Sequence, residues 1–229
     1  MSAKPAGGRA APRLRMDAAR NRAQILSAAR GAFLESGTAV PLEEIARRAG
    51  VNIATLYRRF PSRDALIAAV VVEGFGIVLD AARSAATAAQ ADPAAAVETF
   101  LRSMIDSRDL LVLPLIGGPQ TDDPEARERQ RDIAAVLEEI LAEGRRRQTV
   151  RADVTAADLI ITAALLCRPL PYLPHEQAAV LTARHLGVFL EGLRPDHSRT
   201  LPRPPSSEEL AAHLHGGAAG TAQGQAREP

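Results

Sequence analysis

Aromatic side chains are scarce in this 229-residue chain, which has no Trp, five Phe and two Tyr. Alanine is abundant instead, and almost half of the residues are apolar. Aromatic residues favour strands whereas Ala is the best helix former, so this composition favours helices. We therefore expect an all-α protein, long enough to bury a core without metal or disulfide support.

Cysteine and long hydrophobic runs are also nearly missing. Cys167 is the only cysteine, which excludes an intramolecular disulfide, and its apolar neighbours are typical of a small buried residue rather than a redox sensor. The N-terminus lacks the pattern of a secretory signal, and charged residues interrupt every apolar run before it reaches the roughly 18 residues of a membrane span. We expect a cytoplasmic location and no membrane partner.

The net charge of +1 is unevenly distributed along the chain. Residues 1–64 contain 12 Lys and Arg against 5 Asp and Glu, and the remainder contains 16 against 22. One end is therefore strongly basic, at +7, and the other mildly acidic, at −6. A polyanion is a fitting partner for the basic end, although charge alone is equally compatible with an idle basic tail.

Start and stop signals predict a succession of helices. Residues 1–16, rich in Ala, Gly, Pro and Arg, predict a flexible basic arm, and a helix follows from about Asp17 to Gly37. Asn52, Ser62, two Asp-Pro pairs and the Thr155/Asp158 spacing are typical helix starts. The further predicted helices cover residues 42–49, 52–60, 62–89, 93–113, 124–147, 155–167, 175–192 and 206–215.

The segment LEEIARRAGVNIATLYRRF, residues 42–60, has the layout of a helix-turn-helix. Ile45 faces the partner helices, and Gly50 supplies the positive φ that the turn needs. Leu56 and Phe60, four residues apart, bury one side of the second helix. The uncovered side of a helix of this size fits the major groove of DNA.

This segment resembles the DNA-binding domain of the tetracycline-repressor (TetR) family, whose pattern is I-A-x-x-A-G-V-S-x-G-T-L-Y-x-H-F-x-S-K-x-x-L. The matching residues are Ile45-Ala46, Ala49-Gly50-Val51, Thr55-Leu56-Tyr57, Phe60, Ser62-Arg63 and Leu66. The resemblance covers residues 17–75 and is one of architecture alone beyond them. It implies an N-terminal three-helix DNA-binding domain (17–62), joined by a long helix to a helical effector-binding and dimerisation domain (63–200), and a mostly disordered tail (201–229).

The resemblance also implies roles for individual residues on the predicted second helix. Those nearest the bases would be Asn52, Ile53 and Ala54, and those on phosphates would be Thr55, Tyr57, Arg59 and Arg63. Several positions depart from the family pattern. Asn52 replaces Ser and remains a cap, Ala54 replaces Gly and adds a methyl group near the DNA, and Arg59 and Arg63 replace His and Lys. Pro41 replaces a Thr, which removes a hydroxyl contact to the DNA backbone.

Other basic residues near the motif have a plain alternative. Arg58 lies on the uncovered surface and is a candidate DNA contact, but a solvated helix face is an equally good interpretation, as it is for Arg47 and Arg48. The arginines of the arm would either enter an adjacent minor groove or remain idle: Arg9, Arg13 and Arg15.

In the family, the last two long helices form the dimer interface and the middle helices enclose an effector cavity. The resemblance therefore implies a homodimer, for which the apolar candidates are Leu159, Leu165, Leu186, Phe189 and Leu190. The candidate effector-pocket residues are Phe100, Met104, Leu113, Leu166 and Tyr172, each of which could instead be plain core.

No pattern predicts a catalytic residue, a metal site or a cofactor. His175-Glu176 begins like the zinc motif H-E-x-x-H, but Ala179 occupies the place of the second histidine. His213 and His215, two residues apart, would diverge on a helix. Phosphate-loop and nucleophile-elbow motifs are absent.

The sequence thus predicts a DNA-binding transcriptional regulator, a repressor released from a palindromic operator by a small-molecule effector. The alternatives are a ligand-independent DNA-binding protein or activator of the same fold, and a helical enzyme or scaffold. A steep salt dependence of duplex binding would exclude the enzyme or scaffold, and release by a metabolite would separate the two DNA-binding alternatives.

Overall fold

The computed structural model describes residues 10–111, 123–196 and 199–203, with side chains from residue 17 onward. Every regular element in these ranges is helical, which confirms the all-α prediction. The helices are α1 (Ala10–Ser36), α2 (Leu42–Arg48), α3 (Ile53–Arg59), α4 (Arg63–Ala89), α5 (Pro93–Asp106), a 3-10 turn (Arg108–Leu110), α6 (Pro124–Arg146), α7 (Ala156–Leu166) and α8 (His175–Gly192).

The capping residues that predict five of the helix starts are found in that role in the structure. The Asn52 side chain caps α3, and the Ser62 hydroxyl accepts a hydrogen bond from the N–H of Ala65 at 3.1 Å. Asp92 and Asp123 cap α5 and α6, each followed by a proline at the first helical position. The Asp158 carboxylate accepts a hydrogen bond from the backbone N–H of Thr155 at 2.8 Å. These local bonds satisfy amide groups that a helix start leaves unpaired.

Two helix boundaries differ from the prediction. Helix α1 begins at Ala10, seven residues before Asp17, so residues 10–16 of the predicted arm have a helical backbone. Pro12 is compatible with this start, because a proline in the first turn gives up only an amide that has no helical partner. Helix α5 ends at Asp106 rather than near residue 113. A 3-10 turn follows it, and Leu111, next along the chain, is fully buried.

The described residues divide into two compact units, one up to Val70 and the other from Val71 onward. The first contains α1, α2, α3 and the start of α4. Its side chains with no exposed surface come from all four helices: Ile25, Ala29, Ala32, Ile45, Leu56 and Leu66. A small unit of this kind fixes α3 by its apolar side, and the other side of α3 stays uncovered.

In the second unit, α5 packs against α6 and α7, and α6 packs against α7. Fully buried side chains at the centre of this core are Val97, Phe100, Leu101, Met104, Leu137, Leu141 and Leu159. Helix α8 is different, because only Thr182 and Leu186 of its residues are buried.

Helix α4 carries the apolar face that the sequence predicts, and its residues Leu66, Ile67, Val70, Val71, Val78 and Leu79 are all buried. By length and composition alone α4 could cross a membrane, which the interrupted apolar runs did not lead us to expect. Half of its most apolar stretch is buried inside the protein, as in the core helix of a globular fold. Predictions for residues 1–9, for the connector at 114–122 and for a helix at 206–215 lie outside the described residues.

Candidate nucleic-acid interface

Helices α2 and α3 form the predicted helix-turn-helix. Gly50 adopts a φ of +66°, a left-handed conformation that favours glycine, and lets the chain turn between the two helices. The N–H of Thr55 donates to Asn52 Oδ1 at 2.7 Å, which starts α3 at the predicted residue. Leu56 and Phe60 are 0% and 4% exposed and hold the inner side of α3 against the unit. The guanidinium group of Arg22 lies 5.4 Å from the centre of the Phe60 ring and covers it.

The residues predicted to meet DNA lie mainly on the opposite side of α3. Asn52, Ala54, Arg58 and Arg59 are exposed, and Tyr57 is 46% exposed. Ile53 and Thr55 are half-buried at the edges of this surface. The amide oxygen of Asn52 accepts the capping hydrogen bond, which leaves its NH₂ group and one oxygen lone pair for another partner.

Arg63 has a structural role that differs from the predicted phosphate contact. Its Nη1 donates to the carbonyl oxygens of Thr38 at 2.8 Å and Val40 at 2.5 Å. These bonds tie the start of α4 to the loop between α1 and α2, where no helix satisfies the carbonyl groups. The half-buried side chain is therefore committed to the fold, a role that depends on chain segments distant in the sequence.

The two arginines at the end of α2 are paired with carboxylates. Arg47 Nη2 lies 2.7 Å from Glu44 Oε1, and Arg48 bridges Glu44 at 2.8 Å and Glu35 of α1 at 2.7 Å. Hydrogen bonds from Arg47 and then Arg48 lower the pKa of Glu44 to about 2. Arg47 and Arg48 are therefore neither solvated cations without a partner nor charges free for DNA, because carboxylates of the same unit offset both charges.

Arg58 and Arg59 of α3 are in a different situation. Within the described residues, neither side chain has a hydrogen bond or an ion pair. The exposed side of α3 therefore presents two guanidinium groups that have no partner within the described part of the chain, together with Tyr57 and the Ala54 methyl group. Such a surface suits the phosphates and base edges of a duplex.

The predicted effector-pocket residues do not form one site in the described structure. Phe100 and Met104 are completely buried, and Leu166 is half-buried against the same core. Tyr172, in contrast, is 97% exposed, because the proline-rich segment between α7 and α8 carries it outside the core. Leu113 lies outside the described residues. An open cleft of about 430 Å³ occurs elsewhere, and its lining residues are Ala86, Ala89, Gln90, Glu139, Ile140, Glu143, Arg146 and Arg147.

Two predicted dimer residues are instead part of the core of the protein. Leu159 and Leu186 are 0% and 1% exposed, so they have no surface to offer a partner. Leu165 is 60% exposed, and Phe189 and Leu190 are half-buried. The large apolar residues that α7 and α8 do expose are Ile161, Leu165, Val180, Leu181 and Val188, which we call the α7–α8 apolar surface.

Sequence reasoning missed Glu44 and part of the α7–α8 apolar surface. The spacing of Glu44 to Arg47 and Arg48, three and four residues on one helix, is an ordinary signal for side-chain pairing. No comparable signal separates Leu159 from Leu165, because α7 is apolar around most of its circumference.

Other chemistry finds little support in the described residues, among which no cluster of His, Cys, Asp and Glu could hold a metal ion. Cys167 is buried, and its thiol lies 3.3 Å from the carbonyl oxygen of Met104. Burial raises the pKa of this thiol to about 11, so the reactive thiolate is disfavoured at neutral pH.

Comparison with known proteins agrees with this geometry. Residues 25–70 match the family model described as bacterial regulatory proteins of the tetR family. Residues 92–195 match the C-terminal domain of SbtR-like transcriptional regulators. Among curated proteins, none matches the chain significantly.

Solved structures resemble this chain over most of its length. A TetR transcription regulatory protein from Mycobacterium vanbaalenii is 35% identical, with 79% of this chain and 99% of that chain covered and a TM-score of 0.55. The TetR transcriptional regulator SCO0520 from Streptomyces coelicolor is 28% identical, with 77% and 99% covered and a TM-score of 0.55. AibR, solved with isovaleryl coenzyme A and operator DNA, shares the fold at 19% identity, with 74% and 97% covered and a TM-score of 0.57. With a helix-turn-helix of the expected geometry and a relative of this identity and coverage, the chain belongs to the TetR family of DNA-binding transcriptional regulators.

Proposed function

We propose that this protein is a homodimeric transcriptional repressor of the cytoplasm that leaves a palindromic operator when a small-molecule effector binds. The observation that carries the proposal is the exposed side of α3, where Tyr57, Arg58 and Arg59 are displayed while Leu56 and Phe60 anchor the helix. The phosphate-contacting residues of this proposal are Thr55, Tyr57 and Arg59, with Asn52, Ile53 and Ala54 nearest the bases.

The α7–α8 apolar surface supports the dimer. Val180 and Val188 are each 63% exposed on a helix that buries only two of its own residues in the protomer. Large apolar side chains that a protomer leaves exposed on two helices suit an interface between protein chains. A two-fold dimer would present two copies of α3 to a palindromic site and double the number of base contacts.

The effector part of the proposal rests on the fold that the chain shares with AibR, which was solved in complex with isovaleryl coenzyme A and operator DNA. In our proposal, the effector binds among the middle helices near Phe100 and Met104 and favours a state with weaker DNA affinity. A ligand-independent binder or an activator of the same fold would have the same α3 surface. Release from DNA by an effector distinguishes the proposed repressor from a ligand-independent binder.

Selection of bound sequences from random duplex DNA tests the proposal directly. We expect an enriched palindrome whose affinity falls steeply with salt, because arginines replace the counterions of the phosphates. Screening of metabolites for release from that palindrome then separates an effector-controlled repressor from a ligand-independent binder. A protein that enriches no sequence and shows no salt-dependent duplex binding would contradict the proposal.

Two substitutions examine the assigned residues. Tyr57→Ala and Arg59→Ala should each weaken operator binding by roughly tenfold, the loss of about 1.4 kcal/mol, without unfolding the protein, since both side chains are exposed. Binding is measured by fluorescence anisotropy and folding by circular dichroism. Wild-type affinity in both variants would refute these assignments.

A further inference from the structure

Two residues, Ala54 and Arg58, lie in the middle of the exposed side of α3. Ala54 and Arg58 are four residues apart and so lie one above the other on one helix face. The buried residues Leu56 and Phe60 occupy the opposite side of the same helix. Whatever approaches α3 from outside therefore meets Ala54 and Arg58 first, with Tyr57 to one side.

Arg58 is chemically available for such a partner. Of the four arginines on α2 and α3, Arg47 and Arg48 are held by Glu44, and Arg48 also by Glu35. Arg58 is exposed and has no hydrogen bond or ion pair within the described residues. All five N–H donors of its guanidinium group thus remain unused inside this part of the chain.

The neighbour one turn earlier makes a close approach possible. Ala54 is exposed and has only a methyl group as its side chain, so it leaves room for DNA to approach the backbone of α3 beside Arg58. Four residues span about 6 Å along a helix axis, close to two base-pair steps of B-DNA. A guanidinium group at that position can reach the floor of a major groove, where guanine offers two acceptors, O6 and N7, in the geometry of a bidentate pair.

We propose that Arg58 reads a guanine in each operator half-site and is a specificity-determining residue of this regulator. The inference rests on the proposed function, because it requires that α3 enters the major groove. It assigns Arg58 to base recognition, in contrast to the neighbouring Arg59, which is assigned to the phosphate backbone. The two arginines then have different effects when they are removed.

The test is selection of bound duplexes by the wild-type protein and by the variants Arg58→Ala and Arg59→Ala. Arg58→Ala should lose the preference for guanine at one position of each half-site, where a bidentate pair discriminates by about 5- to 150-fold. Arg59→Ala, the matched control, should weaken binding to all sequences equally and lower the slope of log affinity against log salt by about 2, because the dimer loses one phosphate contact in each protomer. Circular dichroism verifies that both exposed substitutions leave the fold intact.

A second measurement uses the wild-type protein and modified DNA. Replacement of the assigned guanine by 7-deazaguanine removes the N7 acceptor, and should weaken binding by the wild-type protein but not by Arg58→Ala. A uniform affinity loss in Arg58→Ala with every base preference retained would overturn the inference and make Arg58 a phosphate contact. If the wild-type protein enriches no sequence at all, the proposed function itself fails, an outcome that is distinct from the first.

Discussion

At the scale of single residues, Gly144 shows how one missing side chain sets the path of the chain. It lies near the end of α6, and its carbonyl oxygen accepts a hydrogen bond from the N–H of Thr149 at 2.9 Å, where the chain reverses through Gln148 at a φ of +55°. A Cβ atom at this position would lie 2.6 Å from Cγ2 of the buried Val150. The turn after α6 therefore depends on glycine.

We accordingly expect Gly144→Ala to lower the free energy of unfolding by about 1–3 kcal/mol, the usual cost of overpacking a core. Urea unfolding followed by circular dichroism measures the loss. Gly31→Ala is the matched control, because it also replaces a helical glycine but its Cβ would meet nothing within 4 Å. That control should gain about 0.5–1 kcal/mol from reduced backbone entropy in the unfolded chain. Equal effects of the two substitutions would contradict the steric argument.

At the scale of elements, α2 is held at its C-terminal end by charge pairing through Glu44. The two arginine partners depress the pKa of this carboxylate to about 2, compared with 4.5 for the free group. A group whose pKa is lower in the folded state stabilises the fold above the unfolded pKa and loses that effect as the pH falls through the folded pKa. The contribution of Glu44 should therefore be complete at pH 7 and decrease between about pH 4.5 and pH 2.

The test compares Glu44→Gln with Glu43→Gln, which removes the same charge from a neighbouring residue that has no ion pair within the described residues. Glu44→Gln should be the less stable at pH 7, and the difference should shrink below about pH 4.5 and in concentrated salt, because the pair is exposed. The urea midpoints of both variants, measured across the pH range, give this difference in stability. Identical pH profiles for the two variants would show that the pairing does not stabilise α2.

At the scale of the whole molecule, dimer formation through the α7–α8 apolar surface governs operator affinity in the proposed function. Leu165→Asp and Val188→Asp place a charge on this surface, which should weaken dimerisation by about 2 kcal/mol or more, roughly 30-fold in Kd. Sedimentation measures the dissociation constant of the dimer, and operator affinity should fall as the dimer is lost. Leu110→Asp is the control, since Leu110 is an exposed leucine of the 3-10 turn. A monomeric variant with full operator affinity would contradict the dimer model.

The sequence by itself determined the helices and the helix-turn-helix, because their signals are local. Asn52, Asp92 and Asp123 cap helices by accepting hydrogen bonds from amide groups only two or three residues further along the chain. Gly50 needs only its own ability to adopt a positive φ. The same holds for the exposed side of α3, since the positions of Leu56 and Phe60 fix the side that is buried.

Only the tertiary structure decided which residues remain available to partners. Arg63 satisfies carbonyl groups more than twenty residues earlier in the chain, and Arg48 meets Glu35 of another helix. Leu159 is buried while Leu165 of the same apolar helix is exposed, because the packing of α5 and α6 against α7 selects one side. Such choices depend on contacts between distant segments, whose partners no local pattern specifies.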